Sequence, residues 1–450
     1  MADKGGLNKM NKHLWLLIAS ALVALAGAND TFIVRGVTVH PVVGPNVENT
    51  SVMVVDGKIT EIGAKIMAAK TVKVIEGKGL HLYPGMINSA TEVGISEISS
   101  IRESADTNEI GDFDPQLRAA IAVNPSSEHI PVTRANGITA VMVMPATARG
   151  GGEGRRGGGA SQVIAGQAGL MHLDGWTWEE MAVNKSAAME LKFPAIASIP
   201  ARFAEMAAAL GMQRTTYAEA KRNYDKKLIE MHEFFERARR YQKAKAAKDP
   251  SLKADLRFEA MIPVLEGKLP VMMMVSKAKA VKDAVDFADK ERIKIVIAGV
   301  DEMGDYAAKL KEKNIPVICG PTLELPNNED DAYDQKATLP NELHKAGVKI
   351  AFATFDVQFA RNLPYQAANA VAFGLPADEA LKAITINPAE IFGVADRIGS
   401  LEKGKWADMI LTDGDPLEAK TNIKRMFIKG HEVDLSSKHT KLYDKYMGRQ

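Results

Sequence analysis

Apolar positions along the chain fall into two kinds of run. Between residues 31 and 79 the stretches "FIVRGVTVHPVV", "TSVMVVDGKITEIG" and "TVKVIEGKGLHLYPG" mix apolar and polar positions and are punctuated by glycine turns. That is the pattern of half-exposed strands in a small antiparallel sheet. A second set of this kind closes the chain, in "GSLEKGKWADMILTDGDP" and "IKRMFIKGHEVDLSS". The middle differs: "GITAVMVMP", "KLPVMMMVS", "IKIVIAGV", "IPVICG" and "VKIAFATFD" are apolar at consecutive positions. Such runs predict strands covered on both faces, and the helical stretches between them predict repeated βα units around a parallel sheet. The expected fold is α/β: a (β/α)8 TIM-like barrel over residues 83–394, with a small composite β-sandwich built from residues 29–82 and 395–450.

Two segments break the barrel pattern. "ARGGGEGRRGGGA" (148–160) reads as a solvated glycine and arginine loop, because it lacks the lysine and following hydroxyl residue of a phosphate-cradling loop. Residues 203–262 read as a helical insertion, in which Leu228, Met231, Phe235 and Ala238 make one apolar stripe on a charge-dense helix. At the other end of the chain, Lys9, Lys12 and His13 precede an apolar run from Leu14 to Leu25 that ends in Ala26, Gly27 and Ala28. This predicts a cleaved signal peptide over residues 1–28, a periplasmic or secreted mature chain, and no membrane span after cleavage. The run is shorter than the roughly 20 apolar residues a transmembrane helix needs.

Composition narrows the partners. Lysine plus arginine (57) nearly cancels aspartate plus glutamate (56), which argues against nucleic acid and favours a small neutral or zwitterionic ligand. The single cysteine, Cys319, cannot form an intramolecular disulfide and reads as a small buried hydrophobe.

"GKITEIG", "GKGLHLYPGMIN" and "ITINPAEIFGVADRIGSLEKGKWADMILTDGDP" resemble the sheet domain and its junctions in the amidohydrolase superfamily, in particular a secreted, imidazolonepropionase-like bacterial branch. The resemblance implies a divalent zinc or manganese centre held by two histidines of the first barrel strand, histidines of the fifth and sixth, and an aspartate of the eighth. Such a metal would lower the pKa of a bound water so that it attacks an amide-like carbon. In this chain the implied ligand positions are occupied by Ala90, Glu92, Met274, Ala298 and Phe355, with Asp356 one residue out of register. The expectation is therefore that no metal is bound and no other cofactor is needed. Glu92 and Asp356 are the candidate catalytic acids, and Arg102, Gln167, Asp174 and Arg361 the candidate substrate-binding residues, all expected at the barrel mouth. Arg102 or Arg134 is expected to neutralise Glu92, and among the nine histidines only His129 and His172 are expected near the mouth.

Three functions fit these readings. The chain is a non-catalytic subunit that pairs with an active paralogous amidohydrolase or with itself; or it hydrolyses a carbon–nitrogen bond through a metal-independent or differently metallated site at the barrel mouth; or it is a structural partner without a pocket.

Overall fold

A computed structural model describes residues 31–67, 69–98, 101–145, 162–196, 216–326 and 331–449. The expected signal peptide and the glycine and arginine loop lie outside the described residues. No described helix is long and apolar enough to cross a membrane.

The chain begins with β1 (Phe32–Val39), β2 (Val47–Val55), β3 (Lys58–Gly63), β4 (Lys73–Glu76) and β5 (His81–Pro84). Gly36, at φ +71°, sits where the register of β1 on β2 shifts, a bulge that needs a residue without a Cβ. On its other edge β1 pairs with β4 through its first half and with β5 through its end. The C-terminal strands β14 (Met409–Thr412), β15 (Ile423–Ile428) and β16 (His431–Glu432) extend the same sheet, because β14 pairs antiparallel with β5. One mixed eight-stranded sheet results, as expected from both chain ends. Its core joins Phe32, Val34, Val52 and Leu82 from the first end to Met409, Leu411 and Phe427 from the last.

The second sheet is the barrel: β6 (Met86–Thr91), β7 (Ile138–Val143), β8 (Ile164–His172), β9 (Ala182–Lys192), β10 (Val271–Met274), β11 (Ile295–Ala298), β12 (Val317–Cys319) and β13 (Ile350–Phe352). Side chains alternate as a two-sided strand requires. Met272, Val296, Ile318 and Ala351 enter the barrel interior, whereas Val271, Met273, Ile295, Ile297, Val317 and Phe352 pack outward in the core shared with the helices. The ring is nearly closed between its ends. Phe355 N donates to Ala90 O (3.0 Å), Asn88 Nδ2 to Thr354 Oγ1 (2.8 Å), and Thr354 N to Asn88 Oδ1 (3.2 Å).

One strand departs from the expected all-parallel ring: β8 runs antiparallel to both β7 and β9. Apolar runs carry no information on direction, and a strand buried on both faces packs equally well either way. The consequence is positional, since the end of β8 lies at the base of the barrel while its start lies at the mouth.

The expected inserted helix is Tyr217–Ala246, opened by a capping box between Thr216 and Glu219. Met231, Phe235 and Ala238 are buried as the stripe predicts, together with Phe234, and Leu228 is partly buried. With the helix Leu256–Leu265 it forms the crossover from β9 to the neighbouring parallel strand β10, so its apolar face belongs to the main core.

Candidate functional site

The C-terminal ends of the parallel strands form the mouth, where loops carry the chemistry of such barrels. Ala90 and Ala298 are fully buried, Phe355 is nearly so, and all three belong to the apolar cluster that fills the barrel, with Met274 packed against it. Phe355 has φ +52°, a left-handed conformation that costs an ordinary side chain free energy. That twist keeps the aromatic ring in the interior and turns the next residue out of it. Asp356 accordingly caps the following turn: its Oδ1 accepts from Phe359 N at 2.9 Å, and its carbonyl accepts from Thr91 Oγ1 at 2.9 Å.

Glu92 does stay at the mouth and is 5% exposed. Its electrostatic neighbour is a residue that sequence reasoning missed, Glu190 of β9. Glu190 alternates with Leu191, which packs outward, and so shares the inner face with Ala188. It is 1% exposed, and its Oε2 has no hydrogen-bond partner among the described residues. Burial first, and the nearby Glu92 carboxylate second, push the Glu190 carboxyl well above the usual range, while Lys192 opposes them. The signal was present in "AAMELK", a single acid at an interior-facing position among alanines.

The candidate binding residues are dispersed. Gln167 alternates with Ala168, which faces the interior, so it projects outward; its Nε2 donates to Pro115 O (2.8 Å) and its Oε1 accepts from Ser186 Oγ, pinning a loop. Asp174 follows the reversed β8 and therefore lies at the base, paired with Arg134 (3.4 Å) and with His431 Nδ1 (2.8 Å). Arg134 is thus Asp174's partner rather than that of Glu92. The side chain of Arg102 lies outside the described residues. Arg361 sits in the turn Ala360–Asn362 beside the base loop, its carbonyl accepting from Asn136 Nδ2 at 2.9 Å.

His172 is likewise a base residue, its Nε2 2.6 Å from Asp408 Oδ2 in a fully buried pair. His129 lies against Glu97, with Nε2 2.8 Å from the backbone carbonyl, and steadies the loop after β6. On the opposite side of the mouth, buried Lys336 pairs with Glu324 (3.0 Å) and Asp301 (3.8 Å), tying the loops after β11 and β12 together. A cleft of about 300 Å³ opens away from the mouth, lined by Arg134, Asp174, Asp434, Ser437, Lys438 and Lys441.

The residues at the ligand positions do not fit a divalent cation. Three of them are hydrocarbon, a thioether is a poor donor for zinc or manganese, and Glu92 alone is a carboxylate. Among the described residues no group of three histidine, cysteine or acidic side chains is placed to hold one.

Residues 275–433, from the end of β10 to the end of the composite sheet, match the Amidohydrolase family. Over 90% of its length the chain superposes on 99% of an amidohydrolase from Thermotoga maritima with a TM-score of 0.74 and 25% identity. The chain belongs to the amidohydrolase superfamily. This amidohydrolase barrel also shares its fold with phenylurea hydrolase B, at 17% identity and a TM-score of 0.52 over 90% of this chain and 97% of that one. A prolidase solved with N-methylphosphonate-L-proline shares it too, at 15% identity and a TM-score of 0.52 over 90% and 99% of the two chains. Amidohydrolase tasK of Hapsidospora irregularis is 22% identical over 403 residues, which are 84% of this chain and 39% of that protein. The chain thus spans about two fifths of the length of that relative.

Proposed function

We propose that this exported amidohydrolase-superfamily chain, of the imidazolonepropionase-like branch, is a non-catalytic barrel that pairs with an active amidohydrolase. The observation that carries the reading is the single apolar cluster uniting Ala90, Ala298 and Phe355 with the rest of the barrel interior. Each large apolar side chain buried there contributes roughly 1.5–3 kcal/mol. Imidazoles or carboxylates left in the same place without a cation would cost free energy instead. The length of the Hapsidospora relative supports the pairing: 39% of it matches this chain, and the remaining 61% (100 − 39) has room for a second unit of this size. A homodimer is the other pairing that the fold accommodates.

A second reading is favoured by Glu190. Two carboxyls at the mouth, one of them pushed well above the usual carboxylate range by burial and by its acidic neighbour, are the equipment for metal-independent hydrolysis of a carbon–nitrogen bond, with Glu92 as general base.

One preparation tests both. Protein purified from its native host without chelators is expected to carry far less than one equivalent of zinc or manganese and to bring an amidohydrolase paralogue with it. Stoichiometric metal, or a chain recovered alone, overturns the first reading. Turnover of dipeptides or cyclic amides that survives a chelator and disappears in Glu92→Gln establishes the second in its place.

A further inference from the structure

We propose that the cleft at the base of the barrel is a binding site for a small organic carboxylate, held between the barrel and the helix Lys438–Met447. The cleft encloses about 300 Å³, the lower end of ordinary ligand sites. Two elements line it with cations. Arg134 ends the barrel helix His129–Arg134, while Lys438 and Lys441 stand about one turn apart at the start of Lys438–Met447.

The polar groups of the cleft differ in whether they already have partners. Arg134 Nη1 donates to Leu173 O (3.1 Å) and Asp174 Oδ1 (3.4 Å). Its Nε is buried and donates to nothing among the described residues. Nε and Nη2 form the edge on which a guanidinium grips a carboxylate through two parallel bonds, and the Nη1 contacts leave that edge aside. Lys438 and Lys441 are exposed and make no ion pair among the described residues. The acids are engaged. Asp174 Oδ2 meets His431 Nδ1 at 2.8 Å, and Asp434 accepts from Ser436 N (2.8 Å) and from the Ser436 hydroxyl. The third acid, Glu128, is exposed. Donors in this cleft outnumber acceptors, a buried donor without a partner costs free energy, and an anion supplies what is missing.

The surroundings select the kind of anion. Asp174 and Asp434 both lie within electrostatic reach of Arg134, so a doubly charged phosphate meets more repulsion there than a singly charged carboxylate. Pro125 and Pro131 offer apolar surface to the rest of the molecule. Binding also bears on the helix. No residue of Lys438–Met447 is buried, so little apolar contact fastens it, and an anion shared by Arg134 and the two lysines ties it to the barrel.

The inference stands apart from the pairing, because the cleft opens away from the mouth and its occupancy is read without metal content or copurification. The test uses the full chain with N-acetylglycine, its neutral amide N-acetylglycinamide, and inorganic phosphate, each against sodium chloride at equal ionic strength. N-acetylglycine is expected to raise the thermal midpoint and to give saturable heat in calorimetry, whereas the amide gives neither and phosphate binds more weakly. Amide hydrogen exchange in residues 438–447 should slow when N-acetylglycine is bound. Arg134→Gln should weaken binding roughly tenfold or more. Because that change also strips Asp174 of a partner, Lys438→Gln combined with Lys441→Gln is the second variant. Both lysines are exposed, so the unliganded midpoint should stay in place while binding weakens about threefold or more. No saturable response to N-acetylglycine, an equal response to its amide, tighter binding of phosphate, or undiminished binding by the double lysine variant overturns the site.

Discussion

Phe355 compresses the history of the mouth into one residue. An aromatic side chain at φ +52° bears backbone strain of roughly 1–2 kcal/mol, which its burial in the barrel interior outweighs. Removing the ring should therefore cost about 3–5 kcal/mol. The replacement matters in an unusual direction. In ordinary strand or helix backbone glycine is worse than alanine by about 0.5–1 kcal/mol, but at a left-handed position it is better. Phe355→Gly is thus expected to be more stable than Phe355→Ala by about 1 kcal/mol in urea denaturation. If alanine proves the more stable, the strain assigned to this position is wrong.

Among the elements, the helix Tyr217–Ala246 is tied to the helix Ala278–Glu291 by two acids, Asp283, which accepts from the Tyr224 hydroxyl, and Glu291. Glu291 is 4% exposed and ends its own helix, where the dipole disfavours a negative charge. It tolerates that place because His232 Nδ1 and Arg239 Nη1 meet its carboxyl oxygens, while Arg239 Nη2 donates to its carbonyl. Glu291→Ala leaves a guanidinium and an imidazole facing an apolar surface, and Arg239 is one-third exposed, so part of the loss is screened. The expected cost is about 2 kcal/mol in denaturant titration, and a loss below about 0.5 kcal/mol would show that the helices hold by their other contacts, Phe235 against Phe287 and Tyr224 on Asp283. The apolar stripe of this helix was legible in the sequence because a period of 3.6 marks a face. The barrel strands were legible because consecutive apolar positions mark cover on both sides. Strand direction leaves no such mark. That is why Asp174, which follows β8, reads as a mouth residue in the sequence and stands at the base in the structure. Gln167 was misread for a simpler reason: its parity on β8 could be fixed only once Ala168 was known to face inward. Glu190 escaped notice because its strand shows one acid among small residues, a pattern that a surface strand shares.

At the scale of the whole molecule, Asp408 joins three parts that are distant in sequence. Its Oδ2 lies 2.6 Å from His172 Nε2 on the barrel strand β8, and its Oδ1 accepts from Lys429 N (2.7 Å) in the turn between β15 and β16. Its carbonyl accepts from Gly85 N (2.9 Å), where the chain passes from the composite sheet into the barrel. Gly85 itself admits no side chain, since a Cβ there would come within 2.1 Å of Thr139 Oγ1. The sheet cannot separate from the barrel without exposing this buried pair, so the intact chain is expected to unfold in one calorimetric transition. Asp408→Ala removes both side-chain acceptors and takes the Nε2 contact from His172, which is fully buried and whose Nδ1 has no partner among the described residues. Breaking a buried pair in this way costs about 3–5 kcal/mol. The loss should fall on the sheet first, resolving a second, lower transition. Asp408→Asn is the control that separates charge from geometry. Its remaining oxygen still accepts from Lys429 N, and its amide can donate to an imidazole that carries its proton on Nδ1, so most of the stability should return. A single, unshifted transition in Asp408→Ala would mean that the two sheets are held together by their apolar contacts, with the His172–Asp408 hydrogen bond a passenger.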